Sequence, residues 1–359
     1  MRLTIIQDQL RVGGTERQSL HLARASVEEG HEVHLIIFRP GGELFPQQRA
    51  KDYTVTVLQS WDSGISVYAP GLIEAIEASH PERILCMGRS ANCYAGWIQQ
   101  QFRCTPVVST LRTGKRLQPW HRWALSRVSG ILVNTGWWAQ RLKIQNCLGE
   151  AIEVVPNALL SDQAPSEEGE ALRHTEGVDS STTVLLQVAS FRHGKRQATL
   201  IRQLANWDAE AEDRSWVFWL VGDGPCRTEC EVLAKSLGLE SKLRFFGYIE
   251  NPAAHYAAAD LALSLSREDS LPNFLIEAQS SGLPVIAEDF RGVGEAFEPG
   301  IGGFLIPPGD LLGFRKALST LVENRSLRES MGRAACRWSR SRFSPLQQAR
   351  AVLGFLDRL

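Results

Sequence analysis

Short apolar runs alternate with longer stretches whose apolar residues recur at helical spacing, and the alternation is written twice along the chain. In the first part "RLTIIQ" (2–7) reads as a buried strand. It is followed by the loop "DQLRVGG" and then by "TERQSLHLARASVEEG" (15–30), where Leu20, Leu22, Ala23 and Val27 share a helix face. Thr15 with Gln18 three residues on matches a capping box, and Gly30 supplies a stop. "EVHLIIF", "RILCMG", "PVVSTL", "GILVN" and "IEVVPN" are further strand candidates, with helical segments between them. Residues 161–182 are polar, acidic and without periodicity, which predicts a linker plus loop. The alternation then restarts with "TVLLQVAS", "WVFWLVG", "LRFFG", "LALSLS" and "PVIAED", again separated by helical stretches. Near-continuous apolar strands joined by helices predict parallel sheets covered on both faces, so the fold class is α/β with two doubly wound halves. The first half spans 1–160 and the second 161–344. A last helix, 345–359, is long enough to return and pack on the first half. In such sheets ligands sit beyond the carboxyl ends of the strands, where strand order reverses, which predicts a site in the cleft where the halves face each other.

A length of 359 residues agrees with two domains. The chain holds no run of about 18 apolar residues, the length a membrane-spanning helix needs. The start lacks the apolar core of a secretory leader, so the expected location is the cytoplasm. Seven cysteines form no C-x-x-C; only Cys226 and Cys230 are close, with no His near them in sequence, which predicts reduced, mostly buried thiols and no metal site. No D-x-D triplet offers a carboxylate pair for a divalent ion on a diphosphate. The net charge of −1 hides an asymmetry. Between Glu82 and Glu150 there is no acidic residue but ten basic ones, together with Trp97, Trp120, Trp123, Trp137 and Trp138.

Four loops at predicted strand ends suit a phosphate-bearing ligand. In "VGGTER", Gly13 and Gly14 let backbone approach a ligand at a helix start. The loop matches neither a dinucleotide fingerprint nor a Walker loop. In "ASFRHGKRQ" (189–197), Arg192 and Lys195 are two cations able to neutralise a diphosphate, whereas Arg196 reads as solvent-facing and His193 as a plain loop residue. "LVGDGP" (220–225) reads as a tight turn around Gly222. In "SREDSLPNFLIEAQSSGLPVIA" (266–287), Ser270 is a sensible N-cap, Pro272 suits the first helical turn and Gly282 closes the helix. The N–H groups at 270–273 (Ser270, Leu271, Pro272, Asn273, of which the proline lacks one) would clamp an anion or hydroxyl, while Glu277 points either at sugar hydroxyls or at water.

"EDSLPNFLIEAQSSGLPVIAED", with "LVGDGP" and "LRFFGYIENPAAHYAAADLALSLS" before it, resembles the carboxyl-terminal half of a retaining glycosyltransferase of family 4. The resemblance runs from "GGTER", through "VVPNA" (154–158), to "GFLIPPGD" (303–310). It implies the GT-B architecture, two Rossmann-like domains facing across a cleft, with the acceptor bound by the first and the nucleotide-sugar donor by the second. It implies that Asp269 and Glu277, eight positions apart, take the donor sugar and the ribose, with Glu268 one residue off register. Arg192 and Lys195 would hold the diphosphate, Gly13 and Gly14 would close on it, and Tyr248 and Ile249 after Gly247 would present backbone to the base. The usual first acid is Glu, so Asp269 is a shortened version. Many relatives carry a His where this chain has Arg112; Arg112, with Lys115, is the candidate contact to an acceptor or phosphate.

The expected function is therefore transfer, with retention, of a sugar from a nucleoside-diphosphate sugar (UDP or GDP) to a glycan or lipid-linked acceptor. No metal and no cofactor is expected, because fixed cations and helix starts stabilise the departing phosphate. The basic, Trp-rich interval raises a second expectation, peripheral contact with an anionic membrane at its inner face; its alternative is that the Trp residues are core and the Arg residues answer the diphosphate. Nucleic acid is not expected, since no recognition motif accompanies the basic run. Two rival functions remain open: a nucleotide-sugar epimerase, which would need acid–base residues in the first half where no His or carboxylate pair offers itself, and a non-catalytic nucleotide-sugar or glycan-binding relative.

Overall fold

A computed structural model of the chain describes residues 1–11, 13–45, 52–112, 114, 116–145, 151–160, 163–210 and 214–359. These form two compact units, one of Met1–Leu160 with Phe343–Leu359 and one of Ser161–Arg342.

The first unit is an all-parallel sheet of seven strands in the order β3-β2-β1-β4-β5-β6-β7. They are β1 (Arg2–Gln7), β2 (Glu32–Ile37), β3 (Thr54–Val57), β4 (Arg83–Cys86), β5 (Val107–Leu111), β6 (Gly130–Val133) and β7 (Ala151–Val154). Leu3, Ile5, Leu35 and Ile37 enter one core while Ile6, Ile36, Ile84 and Ile131 enter another, so the two-residue period of the strands feeds both faces. The helix α13 (Pro345–Asp357) covers the first of these cores with Val352, Leu353, Phe355 and Leu356. The Arg83 Nε donates to the Leu356 carbonyl at 2.6 Å, and the Ser344 side chain caps the helix start.

The second unit is a six-stranded parallel sheet, β10-β9-β8-β11-β12-β13. Its strands are β8 (Thr183–Val188), β9 (Trp216–Val221), β10 (Leu243–Gly247), β11 (Leu261–Ser264), β12 (Val285–Glu288) and β13 (Gly303–Ile306). Strand order reverses between β1 and β4 in the first unit and between β8 and β11 in the second. In both, the crevice at the reversal is where a doubly wound sheet offers a ligand site.

Several local expectations are corrected. The first helix, α1 (Gly14–Glu28), starts before Thr15, with Gly13 as its N-cap and no side-chain cap. Gln18 is instead buried, donating to the Ala158 carbonyl at 2.8 Å and accepting from the Ala158 N–H at 3.0 Å. The stretch expected to be linker contains α6 (Ser166–Thr175), with Glu167 and Glu168 in its first turn and Arg173 and His174 in its last, matching the helix dipole. Its only buried residue is Gly169, which lies against the backbone of α9 (Ala253–Ala258) so closely that a Cβ would stand 2.6 Å from the Ala257 carbonyl carbon. Arg173 then bonds the Ala258 carbonyl at 2.8 Å and the Asp260 carboxylate at 3.0 Å. The thiols of Cys86, Cys226 and Cys230 are buried, those of Cys93 and Cys336 half-buried, and Cys104 is exposed; Cys147 lies outside the described residues.

Candidate functional site

The reversal point of the second unit gathers the cations and acids that the sequence singles out. After β8 the chain buries Phe191, turns through a short 3-10 segment at His193–Lys195, and enters α7 (Gln197–Asp208). After β11 it passes Ser266–Asp269 and enters α10 (Asn273–Ser280). The two loops lie together: the Arg267 N–H donates to the Gly194 carbonyl at 2.8 Å, and a Cβ on Gly194 would sit 2.8 Å from the Glu268 Cβ.

Across this contact Lys195 Nζ donates to both oxygens of Asp269, each at 2.7 Å, and the Ser266 hydroxyl donates to Asp269 Oδ2 at 2.7 Å. Burial works to raise the Asp269 pKa, but the Lys195 ammonium, the Ser266 hydroxyl and the Arg192 charge outweigh it and hold the carboxyl below its ordinary range. Arg192 donates to the Ser190 hydroxyl at 2.9 Å, and its Nη1 stands 3.3 Å from a Glu268 oxygen. Glu268, one residue off the family register, is thus the partner of Arg192. Arg196, expected to face solvent, turns inward in a left-handed backbone conformation (φ 57°) and pairs with Glu288 at the end of β12. Glu288 is 2% exposed and also accepts from Arg267 Nε at 2.8 Å. A paired acid at a strand end leaves no local pattern in the sequence.

Glu277 lies on α10 and accepts the Tyr256 hydroxyl proton at 2.6 Å, so it is positioned by the second unit's core rather than loose in water. Ser270 is not the N-cap; Pro272 holds that position, and Ser270 and Leu271 are buried in the approach to the helix. Asn273 is the first helical residue, and Gly282 (φ 84°) ends α10 as expected. On the other side of β8, Gly222 donates its N–H to the Gly247 carbonyl at 2.7 Å, and a Cβ there would fall 2.1 Å from the Ala189 carbonyl oxygen. Gly222 thus lets the loop that leads to Arg192 pass against the end of β9. Tyr248, exposed, and Ile249, half-buried, follow Gly247.

In the first unit, Gly13 and Gly14 stand at the start of α1, beyond β1. A Cβ on Gly13 would lie 2.2 Å from Glu16 Oε2, because Glu16 folds back beneath the loop. Asp8, also beyond β1, accepts the N–H of Ser90 at 2.8 Å and of Ala91 at 2.6 Å at the start of α3 (Arg89–Gln101). This pair of acids at the first unit's reversal point corrects the expectation that no carboxylate pair occurs there. Burial raises Asp8 to about 6. Burial, with the Asp8 charge adding, raises Glu16 to about 7. Both folded pKa values lie above the unfolded ones, so the stability these groups contribute is complete below pH about 4 and is lost as pH rises through 6 to 7. Asp8→Asn and Glu16→Gln should each flatten this loss, worth about 3 kcal/mol per group; denaturant melts from pH 4 to 8 read it. Arg112 donates Nη1–H to Asn157 Oδ1 at 2.7 Å, while its buried Nε has no hydrogen-bond partner among the described residues and burial lowers its pKa to about 10. Lys115 lies outside the described residues.

Two glycosyltransferase family models match the chain: Glycosyltransferase Family 4 over residues 12–159 and Glycosyl transferases group 1 over residues 169–338. The chain belongs to this family of GT-B glycosyltransferases. It is 26% identical to the lipopolysaccharide core biosynthesis glycosyltransferase LpsD of Rhizobium meliloti, over 96% of this chain and 95% of that one. It is 30% identical to the N-acetyl-alpha-D-glucosaminyl L-malate synthase of Bacillus anthracis over 46% of its own length, and spans 42% of that protein. The fold is shared with Anabaena Alr3699/HepE, solved in complex with UDP and glucose, at a TM-score of 0.83 and 21% identity over the full length of both chains.

Proposed function

We propose that the protein transfers a sugar from a nucleoside-diphosphate sugar, with retention of configuration, to a glycan or lipid-linked acceptor, using no metal in the chemical step. The observation that carries this reading is the four-residue ion-pair set at the reversal point of the second unit, Lys195–Asp269 and Arg192–Glu268. A leaving nucleoside diphosphate develops charge on its β-phosphate, and preorganised cations stabilise that charge with no proton transfer. Arg192 supplies a planar fork suited to phosphate oxygens, and Lys195 a point charge. Asp269 holds Lys195 in place and leaves an acid for a sugar hydroxyl; Glu277, fixed by Tyr256, accepts from the ribose. The complex of HepE with UDP favours UDP as the nucleotide, and the name of LpsD favours a lipid-borne glycan as acceptor. Retention follows from the family resemblance. A thermal-shift screen against UDP-, GDP- and ADP-sugars tests the reading: one set should stabilise the protein with a chelator present. Stabilisation that disappears with chelator in wild type and in Cys226→Ser alike would overturn the metal-free step.

Acceptor recognition falls to the first unit in this proposal, and its surface supports a membrane-borne acceptor. Trp120 and Trp123 on α4 (Pro119–Leu125) are 56% and 41% exposed, and Trp97 on α3 is 38% exposed. The three are not core residues, unlike Trp138. α3 and α4 are in contact, a Cβ on Gly96 falling 3.2 Å from the Trp123 ring, and the Arg127 guanidinium lies 4.5 Å over that ring. Arg122 bonds the Gln145 carbonyl beyond α5 (Gly136–Ile144), which exposes Ile144, Arg141 and Lys143. Aromatic rings among solvated cations match the headgroup region of an anionic bilayer, where each basic residue contributes about 1 kcal/mol. The protein should float with vesicles containing anionic lipid and stay behind with zwitterionic ones, and Trp120→Ala with Trp123→Ala should abolish flotation. Failure to float with either vesicle would remove the membrane.

A further inference from the structure

The loop that carries Arg192 and Lys195 also brings His193 against the start of α8 (Arg227–Ser236). There one ligand atom each from His193, Cys226 and Glu229 lie within 4.8 Å of one another. In sequence Cys226 has no His beside it; the fold brings His193 to it from the preceding strand-end loop. We propose that these three residues form a binding site for a thiophilic divalent cation of the zinc class, with the fourth position of a tetrahedron open.

Three properties of the cluster carry the proposal. The donor set is imidazole, thiolate and carboxylate, the set that borderline-soft ions take; Mg²⁺ would choose oxygen alone. The carriers are fixed before any ion arrives. The Phe191 N–H donates to the Asp223 carbonyl at 2.9 Å and the Cys226 N–H donates to the Phe191 carbonyl at 3.1 Å, which pins the two loops to each other. Cys226 and Glu229, one turn apart at the helix start, face the same way. Finally, among the described residues none of the three side chains is spent on another hydrogen bond or ion pair, although the neighbouring Arg227 is paired with both Asp223 and Glu231. Cys226 is 7% exposed while His193 and Glu229 are exposed, so an ion would rest on a buried sulfur with its open side to solvent. Binding requires the thiol to lose its proton to solvent as the metal–sulfur bond forms, so affinity should rise with pH. The bound ion would tie the Arg192–Lys195 loop to α8 without entering the ion-pair set itself.

Cobalt(II) is the direct probe, because a cobalt–thiolate bond produces a charge-transfer absorption in the near ultraviolet. Full-length protein, stripped of metal and reduced, should bind one equivalent of Co²⁺ with that absorption and with the visible bands of a tetrahedral ion, and Zn²⁺ should displace it. Cys226→Ser should remove the charge-transfer band, and His193→Ala and Glu229→Gln, both surface changes, should each weaken binding at least tenfold. Cobalt bound without the thiolate band, a band that survives Cys226→Ser, or affinity unchanged in both surface variants would overturn the site. The spectra are read without any nucleotide, so failure here leaves the glycosyltransferase reading intact, and failure of donor binding leaves this one intact.

Discussion

Lys195→Met should lower sugar-transfer turnover by about 10²–10³, the typical loss when one preorganised donor to a developing anion is removed. The variant should also melt at lower temperature. Asp269 would keep a largely buried carboxylate that has lost both Nζ bonds of 2.7 Å, and breaking one partner of such a pair costs about 3–5 kcal/mol when burial is complete. Its side chain is 21% exposed, so the lower end applies. The two losses separate in a double variant. Lys195→Met with Asp269→Asn removes the uncompensated charge and should recover most of the melting temperature while turnover stays low. A double variant that regains turnover would mean that Lys195 serves the fold and not the phosphate.

Gly222→Ala should be among the most damaging single-methyl changes in the second unit. The residue has φ of 135°, a conformation that side chains resist, and its added Cβ would stand 2.1 Å from the Ala189 carbonyl oxygen. That oxygen belongs to backbone and has little freedom to retreat. Conformational strain of about 1–2 kcal/mol adds to overpacking of about 1–3 kcal/mol. Relief requires the Ala189–Arg192 loop to move off β9, so donor binding should weaken together with stability. Gly177→Ala, at a positive φ with open space around it, is the control: it should show the strain alone and leave donor binding unchanged. Equal melting temperatures for the two variants would contradict the close approach.

The strands were legible because parallel strands buried on both faces read as continuous apolar runs, "WVFWLV" of β9 being buried at every position. Arg192 and Lys195 stand out in the sequence because doubly wound sheets place candidate ligand groups just past strand ends, whereas Asp269 is singled out only by the family resemblance. What the sequence hid depends on contacts distant along the chain. α6 is hidden in the sequence because its buried face is a single glycine, which leaves no apolar period. Glu268 is one residue off the family register, and its partner Arg192 comes from another strand end. Asp8 and Glu16 look like ordinary acids until the β1 loop folds one under Gly13 and aims the other at the start of α3. The inward turn of Arg196 depends on Glu288, a residue at the end of a strand laid down much later in the chain.

In the proposed function the reversal point of the second unit holds the diphosphate of the donor on Arg192 and Lys195. Isothermal titration of the full-length protein with UDP, GDP and ADP, each with chelator present, tests it most directly. One of them should bind one-to-one to wild type, with affinity at least tenfold lower for Arg192→Ala and for Lys195→Met and unchanged for Trp120→Ala. Binding of none of the three, or binding of equal strength in wild type and both cation variants, would contradict it.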